Sequence, residues 1–293
     1  MPKGAVFFNS SSGGKFTPAE KQAFEKAVRK ADLELVPLSG EIDVTREVRD
    51  RFTRGLKLFV AAGGDGTVNS VVQPLINTDA KAAVIPMGTY NHFARDAGIP
   101  DDWREALNIA LNGQVRQVDT ARINDRFFVN NVSIGLYPEL VARREARGRD
   151  YPRWKARFWA AYGTLRKYPH VTLNIESAHH QEVIRTHVFM ISNNSYDLSR
   201  LGIEAPRKTL ESGRISVYWL PHLPRIKLMK FIAHYLAGRV REAPGFRSFM
   251  TTRMKVQSSR NHLKVGIDGE LHSLSTPLSI MSVPQSLLIK VPG

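Results

Sequence analysis

Short apolar runs alternate with helix-forming stretches through the first third of the chain, and this alternation limits the fold more than any other feature. The runs are Gly4–Phe8 (GAVFF), Leu33–Leu38, Leu56–Ala62 and Ala82–Ile85, each of strand length and bounded by turn-forming residues. The intervening helices are expected from Thr17 to about Ala31, from Val44 to Thr53 and from Thr67 to about Ile76. The first opens on a capping box, Thr17-Pro18-Ala19-Glu20, with proline at the first helical position. Strand and helix at this spacing imply parallel βαβ units with right-handed crossovers. Ligands of such sheets sit beyond the carboxyl ends of the strands. Three glycine-containing loops, Asn9–Lys15, Gly63–Thr67 and Gly88–Asn91, each follow an expected strand and therefore belong to one edge.

After about Asp119 the pattern changes. Runs at Arg126–Ser133, Val171–Glu176, Val183–Asn193, Arg214–Leu220, Lys264–Ile267 and Leu287–Val291 read as strands with few helical crossovers, hence a largely antiparallel β domain. Helices are expected only near Trp154–Arg166 and Arg225–Leu236. At 293 residues two compact domains are expected, at 1–119 and 120–293, with a single-domain barrel as the alternative.

The chain carries 42 Lys and Arg against 27 Asp and Glu, a formal +15. Two segments hold nearly all of the excess: Arg143–Tyr168 and Leu220–Lys255 each carry +7. Both interleave cations with bulky apolar groups, among them Trp154, Phe158 and Trp159 in the first and Met229, Phe231 and Tyr235 in the second. That composition suits an anionic lipid surface. A solvated helix face with inward aromatics is the equal alternative. Nucleic acid is not expected as a partner, because no helix-turn-helix, RNP-like or zinc-finger pattern accompanies the charge. There are no cysteines, which excludes disulfides, thiolate catalysis and zinc–thiolate sites. The residues before Asn9 are too few for a signal peptide, and no window offers the roughly 18–20 apolar residues of a membrane-spanning helix. The expected location is cytoplasmic, peripherally associated with a membrane.

Gly63-Gly64-Asp65-Gly66-Thr67 lies between a strand and a helix, where unhindered amides and the helix N-terminus favour a phosphate. Asp65 would repel bare phosphate, so its presence fits a bridging Mg²⁺ or hydroxyl. The alternative is a tight turn in which Asp65 caps the helix. GGDGTVN (Gly63–Asn69), the stretch Pro86–Arg95 (PMGTYNHFAR) and Asp268-Gly269-Glu270 together resemble the diacylglycerol kinase catalytic-domain family of bacterial lipid kinases, a superfamily shared with sphingosine, ceramide and NAD kinases. The likeness extends to Asn9–Gly13, Phe128–Asn131, Glu204-Ala205-Pro206 and Ser212-Gly213.

This resemblance implies an N-terminal Rossmann-like α/β domain, a larger C-terminal β-sandwich and an active site in the cleft between them. It implies ATP-dependent phosphoryl transfer to the hydroxyl of a diacylglycerol-like or other long-chain lipid, with Mg²⁺. By similarity Asn9, Gly63, Gly64, Asp65, Gly66, Thr67, Asn69, Gly88 and Thr89 would hold ATP, Asp65 would meet its Mg²⁺, and Glu270 would be the general base. Taken alone, Asp268-Gly269-Glu270 reads as a β-turn of solvated acids. Lys15 is either a phosphate contact or a solvated loop lysine, and the histidines show no metal-ligand spacing.

Several positions depart from the family pattern: Ser70 and His92 replace acids, Ser212-Gly213 replaces the Asp–Gly pair that helps bind a structural Mg²⁺ in some members, Tyr90 stands where glycine or a small residue is common, and the glycine-rich stretch before Ala205-Pro206 is reduced to Gly202. Loss of hard oxygen ligands argues against that second metal. Two other readings stay open, a kinase for a soluble hydroxyl like the NAD kinases and a non-catalytic lipid-binding protein. A homodimer is a further open expectation.

Overall fold

The structure, a computed structural model, describes residues 2–10, 17–39, 42–89, 91–135, 170–193, 210–221, 224, 226, 227, 230 and 247–293. The chain divides into two compact units, one of residues 1–120, 210–213 and 283–293 and the other of 121–209 and 214–282. The first unit thus takes up two later segments besides the residues expected at 1–119. The physical cause is strand pairing: Leu288 and Ile289, near the chain end, lie parallel to Lys81 and Ala82.

The first unit is built on strands β1 (Gly4–Phe8), β2 (Leu33–Pro37), β3 (Leu58–Gly63) and β4 (Lys81–Pro86), with the end of the last strand, β15 (Leu278–Val291). Their order is β2-β1-β3-β4-β15, all parallel. β1 is buried along its whole length and β3 nearly so, as a sheet covered on both faces requires. The helices are α1 (Pro18–Lys30), α2 (Val44–Thr53), α3 (Asp65–Val72), α4 (His92–Asp96) and α5 (Trp103–Asn112). α1 begins on the expected capping box, with the Thr17 side chain accepting from the Glu20 amide and the Glu20 side chain from the Thr17 amide. α2 is capped by Asp43. α3 breaks into a 3-10 turn at Gln73–Leu75, where Pro74 ends the regular helix.

The second unit is antiparallel, as the alternation in the sequence implies. It contains the end of β5 (Gln114–Ile123), then β6 (Arg126–Phe128), β7 (Asn131–Gly135), β8 (Val171–Ser177), β9 (Gln181–Ser192), β10 (Ile215–Pro221), β11 (Arg247–Thr251), β12 (Arg253–Ser258), β13 (His262–Ile267), β14 (Glu270–Ser275) and the start of β15. The pairing order is β14-β13-β7-β9-β8-β12-β15, with β10 joining β9 to β11. Inward residues of these strands, among them Phe128, Ile134, Ile175, Phe189, Val217, Val256 and Ile280, form one hydrophobic core. The expected helix near Trp154–Arg166 and nearly all of the one near Arg225–Leu236 lie outside the described residues. Among the described residues no helix is long and apolar enough to cross a membrane.

Candidate active site

In the first unit the three expected loops follow β1, β3 and β4, so all start from the carboxyl edge of one parallel sheet. Residues 11–16 of the first loop, Lys15 included, and Tyr90 of the third lie outside the described residues. Backbone bonds tie the strand ends together: the Asn9 amide donates to the Ala62 carbonyl at 2.9 Å and the Met87 amide to the Gly63 carbonyl at 2.9 Å. The Asn9 side chain donates to Thr67 Oγ1 at 3.3 Å. A Cβ on Gly63 would stand 2.6 Å from the Cβ of Thr67, and one on Gly88 would stand 2.6 Å from the Cα of Gly64. Glycine is therefore a packing requirement at both places, at Gly63 because the Thr67 side chain lies against it and at Gly88 because the backbone of the Gly64 loop meets it.

Asn91 closes the third loop. Its backbone is left-handed, with φ at 51°, a conformation asparagine tolerates better than most residues. Its Oδ1 accepts from the Gly88 amide at 2.9 Å and its Nδ2 donates to the Gly88 carbonyl at 3.2 Å and to Asp101 at 3.3 Å. In the sequence this locking residue stands out only as part of the Pro86–Arg95 motif. The signal for it was the asparagine itself, three positions after a glycine that must turn tightly.

Gly64 is the N-cap of α3 and makes no side-chain cap bond, so Asp65 sits at the first helical position and does not cap the helix. Its Oδ1 is buried without a hydrogen-bond partner. An acceptor in that state calls for a donor or a cation. Gly66 is open to solvent, with nothing within 4 Å of an added Cβ. Thr67 is buried and Thr89 exposed. Asn69 is buried, and its Oδ1 accepts from Gln73 one turn on, at 3.1 Å. Ser70 bonds back to the Gly66 carbonyl at 3.0 Å, and His92 is exposed on the first turn of α4.

Glu270 belongs to the second unit, where the two acids of Asp268-Gly269-Glu270 part company. Asp268 is only 7% exposed. One of its oxygens accepts from the Val129 amide at 2.9 Å and the other from Asn130 at 2.8 Å and Asn131 at 2.9 Å. The expectation of a solvated turn therefore fails for Asp268, whose charge is needed to hold three backbone donors of the Phe128–Asn131 turn. Glu270 is exposed at the head of β14, with His272 Nε2 at 3.7 Å from its carboxylate. Burial, then the nearby Arg126, hold the His272 imidazole below the ordinary histidine range, against the opposite pull of Glu270.

Near the third departure from the family pattern, the Asp119 carboxylate accepts from the Gly213 amide at 2.5 Å and the Gln285 amide at 2.9 Å. Both of its oxygens are thus engaged by backbone donors, and Ser212 offers no second carboxylate. These residues do not fit a structural Mg²⁺. The described residues contain no group of three or more His, Asp or Glu that could hold a metal on its own. A nucleotide-borne Mg²⁺, which brings phosphate ligands with it, needs no more than one or two protein carboxylates, and Asp65 fits that demand.

Residues 3–123 match the family described as "Diacylglycerol kinase catalytic domain". The chain is similar to the diacylglycerol kinase catalytic domain over that stretch, less than half of its length. It is similar to the diacylglycerol kinase of Bacillus subtilis (strain 168), 34% identical over 148 residues that make up 48% of each chain. Similarity to the diacylglycerol kinase of Staphylococcus aureus (strain JH9) is 33% over 129 residues, 43% of this chain and 41% of that one. The match thus spans about half the length of these relatives. Among solved structures, a diacylglycerol kinase from Bacillus anthracis str. Sterne superposes with a TM-score of 0.69 at 18% identity, covering 99% of this chain and 97% of that one. The likeness of fold therefore continues through the β-rich second unit, beyond the family-matched stretch.

Proposed function

We propose that the protein is an ATP-dependent lipid kinase that transfers the γ-phosphoryl group to the hydroxyl of a diacylglycerol-like or other long-chain lipid. The observation that carries this reading is the Gly63–Thr67 loop, which lies in the family-matched stretch and leaves the buried Oδ1 of Asp65 without a partner. The amides of the Gly64–Gly66 turn approach the nucleotide phosphates without side-chain hindrance, and the N-terminus of α3 favours negative charge. Bound Mg²⁺, held by the phosphates and Asp65, would neutralise charge on the transferring group. Glu270 accepts the proton of the acceptor hydroxyl as its oxygen bonds to the γ-phosphorus. The bond from that phosphorus to the bridging oxygen breaks, and ADP leaves. Asp268 positions Glu270 by fixing the turn from which β14 starts. An anionic membrane surface, met through the basic segments 143–168 and 220–255, is the proposed docking partner and gives a cytoplasmic, peripheral location.

The test is transfer of labelled γ-phosphate from ATP with Mg²⁺ to a total bacterial lipid extract in mixed micelles. A labelled lipid is expected that disappears in Asp65→Ala, and Glu270→Gln should lower kcat by about 10²–10⁴-fold while ATP affinity stays nearly unchanged. Equal rates in Glu270→Gln and the parent would remove the base assignment. Label on a soluble metabolite and on no lipid would move the acceptor to the NAD-kinase type. Lipid binding without any transfer would leave a binding protein.

A further inference from the structure

The outer face of the sheet in the second unit carries positive charge with no ion-pair partner among the described residues, and we propose that this face seats on the anionic headgroups of a lipid bilayer. Strand alternation fixes which side chains point outward. Ile123 of β5, Ile280 of β15, Met254 and Val256 of β12, Ile175 of β8 and Ile184 of β9 all turn into the hydrophobic core. Their neighbours along each strand therefore face out. Register then gathers residues from distant parts of the chain: Arg253 lies opposite Met281, Lys255 opposite both Ser279 and Glu176, Arg185 opposite Thr172 and Val183 opposite Asn174. Arg122 joins them, its Nη2 at 3.3 Å from the Met281 sulfur.

Arg122, Arg185, Arg253 and Lys255 are all exposed, and none is ion-paired among the described residues. Glu176 is the single acid on this part of the face, so its net charge is +3. Val183 is 67% exposed, and the Met281 thioether is half-buried among the cations. Neighbouring strands stand roughly 4.8 Å apart, so the cations stand side by side, and Arg253 and Lys255 line an open hollow with Glu176, Ser279 and Met281. An exposed array of cations with apolar groups between them complements phosphate headgroups and the acyl boundary beneath them. Arg122 and Arg185 lie outside both basic segments recognised in the sequence. The proposal rests on the lipid-kinase reading only in choosing a bilayer over another anionic surface.

The experiment measures sedimentation of the full chain, without ATP, with phosphatidylcholine vesicles prepared with and without phosphatidylglycerol. Binding is expected only with phosphatidylglycerol. At about 1 kcal/mol for each cation near an anionic surface, R122Q and R185Q each weaken partitioning about fivefold and R253Q/K255Q about 25-fold. The control K26Q/R29Q removes the same charge from α1 and changes partitioning less than about twofold. Equal losses in the two double variants, or none in either, overturn the proposal. So does loss of binding to a DNA duplex in R253Q/K255Q with vesicle binding intact, which assigns the face to nucleic acid. A chain that phosphorylates no lipid yet loses vesicle binding in R253Q/K255Q supports the docking face and overturns the kinase reading alone. Thermal unfolding of each variant checks that the fold is retained.

Discussion

Two glycines at the carboxyl edge of the parallel sheet carry different burdens. At Gly88 an added methyl would stand 2.6 Å from the Cα of Gly64 and 2.8 Å from Asn91 Oδ1, whereas at Gly66 it would meet nothing within 4 Å. Gly88→Ala must push two loop backbones apart, at a cost of about 1–3 kcal/mol. The displaced loops should lower kcat/KM for ATP about 10²-fold. Gly66→Ala, inside the first turn of α3, should leave stability unchanged or raise it by up to about 1 kcal/mol. If it nevertheless abolishes ATP binding, the methyl obstructs the ligand rather than the fold. Thermal unfolding and nucleotide titration of both variants separate these effects, and equal stabilities would remove the packing explanation for Gly88. Sequence alone shows three glycine-containing loops. That one of these glycines is needed for protein packing depends on a contact between residues 24 positions apart, which no local pattern displays.

At the scale of elements, α2 is anchored by one side chain. Arg51, 16% exposed, donates from Nη2 to Glu34 of β2 at 2.7 Å and from Nε to the same carboxylate at 3.2 Å, and its Nη1 reaches Glu47 one turn back. The Glu34 hydrogen bond is the main cause of a guanidinium pKa above its ordinary value, opposed by burial. A two-pronged, partly buried Arg–carboxylate pair is worth more than an exposed ion pair. Arg51→Met should cost about 1–2 kcal/mol in denaturant unfolding, against less than about 0.5 kcal/mol for Arg46→Met, whose contact to Asp50 is long and exposed. Equal costs would mean that the pair does not anchor the helix. α1 and α2 are legible in the sequence because their caps are local. No element is expected above for Trp103–Asn112, although Trp103, Ala106, Leu107 and Ala110 repeat at helical spacing behind an Asp102 cap. β9 hides a different feature. Its inward side is even-numbered at Ile184 and odd-numbered at Phe189 and Ile191. The switch occurs where Thr186 Oγ1 donates to Val188 and Leu220 carbonyls, and the β10 register shifts there too. A bulge of this kind obeys pairing with other strands, so alternation along one strand does not locate it.

At the scale of the molecule, the family-matched stretch at 3–123 does not contain all of the unit to which it belongs. Leu287, Ile289 and Val291 are each no more than 2% exposed in the first unit, and Ser286 bonds the Thr120 hydroxyl at 2.8 Å. Burying three such side chains is worth about 1.5–3 kcal/mol each, a large part of the 5–15 kcal/mol that holds an ordinary domain together. A truncation ending at residue 123 is therefore expected to lack a cooperative thermal transition. Addition of a peptide of residues 283–293 should restore part of it. A truncated chain that unfolds cooperatively near the full-length midpoint would show that the last strand is dispensable.

What the sequence determined by itself follows from short-range physics. Hydrophobic period, capping boxes and turn residues act within a few positions, so the parallel α/β character, the antiparallel second half and the run of glycine loops along one edge could be read without coordinates. The resemblance to a kinase family rested on motifs of the same local kind. Only the tertiary structure decided which acids are free and which are committed: Asp268 is consumed by three backbone amides and Asp119 by two, while one oxygen of Asp65 is left over. It also decided that the last strand returns to the first unit and that Arg122, Arg185, Arg253 and Lys255 share one face. Each of these facts depends on which distant backbone groups a fold brings within about 3 Å of one another. Pairing of that range is set by the packing of the whole sheet and not by neighbours along the chain.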